Sequence, residues 1–221
     1  VEFNEDLLTP TAFIQSTHNT IGAQIGLLLK SNHYNNTFVH RGFSFESALL
    51  DGMMLLKEND AGNVLVGAID EITNTSHTIL NRLGLYKQGD ISNLDIYKSK
   101  TKGTIAGEAA TFFLLANEPS ATDYAKLDGL HTFYKPDGTD EIEKQINSFL
   151  EKQHISIDDI DLIITGKNGD SGEDEVYELL SKTIFAGKEN INYKYLCGEY
   201  PTAAAFAMWL GVTIVKSGRV P

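Results

Sequence analysis

The chain has 221 residues, 42% of them hydrophobic and 22% charged, enough for one or two globular layers around a real core. Its 30 acidic side chains against 18 basic ones give a formal net charge of −12, which excludes a nucleic-acid footprint and speaks for solubility rather than for any mechanism. A single cysteine, Cys197, excludes an internal disulfide framework and fits a reducing, cytoplasmic setting. The longest apolar run, 203–215, is interrupted by Gly211 and Thr213 and is too short to span a bilayer. No signal-peptide pattern is visible.

In chain order, residues 17–30 (THNTIGAQIGLLLK) read as a helix, with Ile21, Ile25 and Leu28 at helical spacing. Residues 35–39 carry a short strand signal. After the turn at Arg41 and Gly42, residues 47–57 (SALLDGMMLLK) read as a second helix. Residues 64–68 (VLVGA) form a continuous apolar run of the kind buried in a sheet covered on both faces. Residues 87–103 are polar and poorly periodic, a loop. Residues 108–116 (EAATFFLLA) are expected as a strand, with 124–133 as its partner. An acidic start opens an amphipathic helix over 140–153. Strand 160–165, helix 174–185, strand 191–196 and helix 202–215 follow. This alternation predicts an α/β layered architecture.

Two C-terminal segments carry the most specific pattern. One is IDLIITGKNGDSGEDEVYELLSKTIF from Ile160, the other KYLCGEYPTAAAFAMWLG from Lys194. Both resemble the histidine-bearing segments of β-ketoacyl synthases, the condensing enzymes of fatty-acid and polyketide synthesis. Ile160, Asp161, Asp174 and Phe185 match the flanks of the first, and Lys194, Gly198, Ala203 and Ala204 those of the second. Upstream, TFVHRGFSFESALLDGMMLL resembles the segment that carries the nucleophilic cysteine, with Thr37, Ser44, Ala48 and Leu49 in register. VLVGAIDE (64–71) and GEAATFFLL (107–115) resemble two further strands of the family. The resemblance implies a thiolase-like five-layered α/β/α/β/α sandwich, of which the chain covers most but not all. It divides the chain at 116: residues 1–116 hold what is present of the nucleophile-elbow half, and 117–221 form the histidine-segment half. It also implies that the first β-α units and the glycine-rich loop near the family's C-terminus lie outside these residues.

The frame fits, but the chemistry does not. Gly42 stands at the family's nucleophile position, and neighbouring registers offer only Arg41, Phe43 or Ser44. Gly166 and Glu199 stand at the two histidine positions, while Lys194 keeps the family lysine. Glycine can neither attack nor donate a side-chain hydrogen bond, and an ionised Glu199 opposes an enolate rather than stabilising it. The Lys194–Glu199 spacing permits a buried ion pair.

Ser44 and Cys197 are the remaining candidate nucleophiles; beside those readings stand a helix-cap serine and a small buried thiol. Phe43 and Phe45 are candidates for a tunnel or an interface, as are Met53 and Met54, with ordinary core as the plainer reading. The six histidines show no metal-ligand spacing, and no metal or cofactor is expected. The turn at 166–170 lacks the spacing of a phosphate loop.

The resemblance thus implies a non-catalytic subunit of the chain-length-factor kind. Its expected partner is a cysteine-containing ketosynthase or a second copy of itself, working with an acyl carrier protein. An active but divergent acyltransferase using Ser44 or a residue outside the chain, and an acyl-binding scaffold, are the alternatives.

Overall fold

The computed structural model describes residues 10–220. The chain enters through α1 (Pro10–Gln15) and α2 (Thr20–Leu28), an apolar helix with no buried residue. A 3-10 turn at Arg41–Phe43 leads into α3 (Ser44–Lys57). In α3 the residues Phe45, Leu49, Gly52 and Leu56 fall on one stripe and are the ones buried. Each large apolar side chain so buried contributes about 1.5–3 kcal/mol.

That stripe lies on an antiparallel pair, β1 (Asn63–Asp70) and β2 (Ala109–Ala116), in register from Asn63↔Ala116 to Asp70↔Ala109. Gly52 is where the helix comes closest: a Cβ there would stand 2.8 Å from Val66 Cγ2. Between the two strands runs α4 (Asn74–Arg82), passed over in the sequence. Its start is a reciprocal cap, the Ser76 amide donating to Thr73 Oγ1 at 3.1 Å and the Thr73 amide to Ser76 Oγ at 3.0 Å.

The second half builds α5 (Thr139–Gln153), β3 (Leu162–Thr165), α6 (Glu175–Leu180), β4 (Glu189–Asn192), α7 (Lys194–Cys197) and α8 (Ala204–Ser217). Strands β3 and β4 pair in parallel, from Leu162↔Glu189 to Thr165↔Asn192, with α6 between them. Helix α8 joins the two sheets. Its Ala205 packs with Phe45, Leu49, Val66 and Ala68, whereas Leu210 and Ile214 pack with Ile164 and Ile191. Sheet, helix and sheet thus stack in an α/β arrangement, with α8 as the core shared by both sheets.

Several expectations need correction. Residues 35–39 enter no ladder among the described residues; Asn35 Nδ2 instead donates to Gly22 O at 2.8 Å. Residues 124–133 are not the partner of β2: they form no strand, and β2 pairs with β1 in full register. The strand expected over 191–196 stops at Asn192, and Lys194 sits on a helical turn. β1 is not covered on both faces: Leu65, Ile69, Phe112 and Leu114 remain exposed on the face opposite α3. The apparent loop 87–103 holds Ile96, the one fully buried large side chain among the described residues.

Candidate functional site

The end of β3 is shaped by a turn, 166–170, that is held from three sides. The Asp174 carboxylate accepts the Asn168 amide at 2.8 Å and the Gly169 amide at 2.9 Å, so the acidic residue opening α6 closes the loop before it. Thr104 Oγ1 donates to Asn168 O at 2.7 Å, and Lys87 Nζ donates to Gly169 O at 2.8 Å. Ile96 fills the space beside Gly169, where φ is +85° and a Cβ would meet Ile96 Cγ1 at 2.4 Å. The polar segment 87–104 is therefore the clamp that fixes this turn.

A second clamp fixes Glu199. Its amide donates to Ile105 O at 2.8 Å and its carbonyl accepts the Gly107 amide at 3.0 Å. This short parallel bridge requires bare backbone on both sides. A Cβ on Gly107 would lie 2.0 Å from Cys197 O, and one on Gly198 would lie 2.7 Å from Gly107 Cα. Gly198 also has φ +73°, a conformation open to glycine at little cost.

These elements enclose a cavity of about 360 Å³ whose walls include Gly42, Gly166, Asn168, Tyr177, Tyr193, Lys194, Glu199 and Tyr200. Gly42, Gly166, Lys194 and Glu199, assigned from three separate segments, meet here. Lys194 Nζ donates to Glu199 Oε1 at 2.5 Å, and the lysine side chain is 7% exposed against 29% for the glutamate. Asn168 Nδ2 donates to Glu199 Oε2 and to Glu173 Oε2, each at 3.1 Å. The Lys194 ammonium also lies 5.2 Å from the centre of the Tyr193 ring. Every charge in the cavity wall with a role in the family pattern is thus already engaged by a neighbour.

The other candidates lie elsewhere or are engaged. Ser44 Oγ accepts the His40 amide at 2.7 Å and closes the elbow turn. Arg41, with φ +54°, takes the left-handed conformation of that turn, and it does not line the cavity. Phe45 is core, 3% exposed and 5.8 Å from the Phe113 ring, not a wall of the cavity. Phe43 meets Tyr134 edge-on at 6.3 Å. Met53 packs on the core cluster of α3, and Met54 is exposed. The Cys197 thiol donates to Gly198 O at 3.3 Å, and burial pushes its pKa up to about 11, with Lys194 opposing. A thiol held protonated is a poor nucleophile.

Sequence reasoning missed three groups. Tyr177 stands one helical turn beyond Asp174, so its side chain leans back over the turn at the end of β3. Its hydroxyl occupies the space beside Gly166, where a Cβ would come within 2.6 Å of it. Asn168 is the donor that ties Glu199 to Glu173. Glu46, on the first turn of α3, has a buried Oε2 without a partner; burial raises its pKa, against the pull of its own amide and of Lys194. The i+3 spacing from Asp174 was the one sequence signal available for Tyr177.

Among the described residues no helix is long and apolar enough to cross a membrane, and no cluster of three His, Cys, Asp or Glu side chains is placed to hold a metal. Residues 3–83 match the family model of the β-ketoacyl synthase N-terminal domain. No curated protein matches the chain. Among solved structures, the ishigamide ketosynthase/chain length factor superposes with a TM-score of 0.77 at 16% identity, over 99% of this chain and 57% of that one. The AntDE:AntF assembly, a type II polyketide-synthase acyl-carrier protein in complex with its ketosynthase, gives 0.77 at 16% identity, over 97% and 58%. The ketosynthase ApeO in complex with its chain length factor ApeC, from Xenorhabdus doucetiae, gives 0.68 at 19% identity, over 91% and 52%. The chain therefore spans between half and three-fifths of the length of these structures. The N-terminal match and these superpositions together give the chain a partial thiolase-like α/β fold of the kind seen in ketosynthases.

Proposed function

We propose that this protein is a non-catalytic, chain-length-factor-like subunit in fatty-acid or polyketide biosynthesis, of which aryl-polyene-type synthesis is one form. One observation carries the reading. The cavity where Gly42, Gly166, Lys194 and Glu199 converge contains neither thiol nor imidazole on its wall, and a lysine–glutamate ion pair stands in their place. A condensing enzyme needs a thiolate to hold the acyl chain and neutral donors to stabilise the enolate. This cavity offers a glycine for the first and a carboxylate against the second.

The partner in this reading is a cysteine-containing ketosynthase, or a second copy of the chain, and an acyl carrier protein delivers substrate to the pair in the cytoplasm. Structural neighbours that are ketosynthase/chain length factor complexes support the partner class, and one that holds a carrier protein supports the delivery. The division at residue 116 follows from the same reading: the first part carries the elbow and the second the turn at Gly166.

Intact-mass spectrometry tests the proposal. The protein is incubated with acyl-carrier-protein thioester, alone and co-expressed with a ketosynthase. Acylation confined to the ketosynthase, in a complex that co-purifies, is the expected result. An acyl adduct on the isolated chain, lost in Ser44→Ala or Cys197→Ala, would overturn it in favour of a divergent acyltransferase. A stable homodimer that retains acyl ligand and ignores the ketosynthase would make it an acyl-binding scaffold.

A further inference from the structure

The cavity has an unspent hydrogen-bond donor. The Tyr177 hydroxyl points into the volume beside Gly166 and has no hydrogen-bond partner among the described residues. Burial and the nearby carboxylates Glu199, Asp174 and Glu173 push the Tyr177 pKa above that of a free phenol, so the group stays a neutral donor at any physiological pH. The acceptors are in the opposite state. Asp174 is filled by two backbone amides, and Glu199 by Lys194 and Asn168.

The wall also has a sign. Glu173, Asp174 and Glu199 line it against the single cation Lys194, so a ligand carboxylate entering here meets net negative charge. A neutral carbonyl meets no such penalty and finds a donor. We propose that this cavity binds neutral acyl thioesters, with the Tyr177 hydroxyl donating to a ligand carbonyl oxygen, and turns away carboxylate-bearing ones. Gly166 is what makes this arrangement fit: any side chain there competes with the tyrosine for the same space.

The inference rests on the reading of this cavity as a retained ketosynthase-type site, and its test is separate from that of the partner. Acetoacetyl-pantetheine and malonyl-pantetheine are close in size and differ in one charge. Both are titrated into the isotopically labelled protein, and affinity is read from the amide shifts around Gly166 and Tyr177. The expected result is at least tenfold tighter binding of the acetoacetyl compound. Tyr177→Phe weakens that binding roughly three- to tenfold, the effect of one lost hydrogen bond, and leaves the amide spectrum otherwise intact. Gly166→Ala, whose methyl displaces the hydroxyl, reproduces the loss with the tyrosine retained. Equal binding of the two thioesters, no binding of either, or a Tyr177→Phe protein that binds as the parent does would overturn the proposal. Ketosynthase capture is measured on the parent protein, and a complex that forms while neither thioester binds would sink this inference and leave the subunit reading standing.

Discussion

Gly107 and Gly198 lie against each other backbone to backbone, with no room for a Cβ on either. This approach lets the segment before β2 bridge to Glu199 through the 2.8 Å and 3.0 Å hydrogen bonds that flank it. Glu199 owes its position to it, and so does the ion pair with Lys194. The shape of the cavity is therefore decided partly by two residues without side chains.

Gly107→Ala is expected to be severely destabilising, by about 4 kcal/mol or more, because the methyl would fall on a carbonyl oxygen and only backbone movement can relieve it. Chemical denaturation followed by circular dichroism measures this. A variant within about 1 kcal/mol of the parent would show that the bridge is dispensable.

The pair Lys194–Glu199 gives a second expectation. Removing one partner leaves a charge in a site where Lys194 is 7% exposed, whereas removing both restores neutrality. A fully buried pair broken on one side costs about 3–5 kcal/mol. With Glu199 partly open to water, Glu199→Gln is expected near the lower end of that range. The double variant Lys194→Met/Glu199→Gln should recover much of the loss. A double-mutant cycle by thermal denaturation decides it: additive losses would mean the two charges do not act as a pair.

Part of this site was legible in the sequence through the resemblance of its segments to one family. Gly42, Gly166, Lys194 and Glu199 come from those segments and line one cavity, whereas the helical turn that carries Lys194 had read as a strand. The strand pairings were less legible. Residues 124–133 alternate well enough to read as a strand, but pairing is settled across the sheet, and β2 takes β1 as its partner instead. Tyr177 and Ile96 were invisible for a related reason. One lies on a short helix and the other in a polar loop, and each matters only through what it meets in space.

Glu46 predicts a pH dependence. Burial raises its folded-state pKa above the ordinary 4.5, ahead of the lowering pull of its own amide and of Lys194. A carboxyl with a raised pKa binds its proton more tightly in the folded protein. Its contribution to stability is present in full below about 4.5 and is lost as pH rises through the folded-state pKa. Glu46→Gln is therefore expected to raise Tm at pH 7–8 and to leave it nearly unchanged at pH 4. A variant destabilised at pH 7–8 would mean that the ionised Glu46 supports Lys194 there.

A thiol at position 42 probes the cavity mouth. A Cβ on Gly42 meets nothing within 4 Å, so Gly42→Cys is expected to fold with stability within about 1 kcal/mol of the parent. The new thiol faces the cavity, and no histidine lines that cavity among the described residues. It should titrate near the ordinary cysteine value, about 8.5, and react with iodoacetamide in step with that. Cys197, held protonated by burial up to about 11, should stay unlabelled at pH 8 in the same folded molecule. Peptide mapping after timed alkylation reads both thiols at once. Labelling of Cys197 at a rate comparable to position 42 would show that the native thiol is open and ionised, and would return it to consideration as a nucleophile.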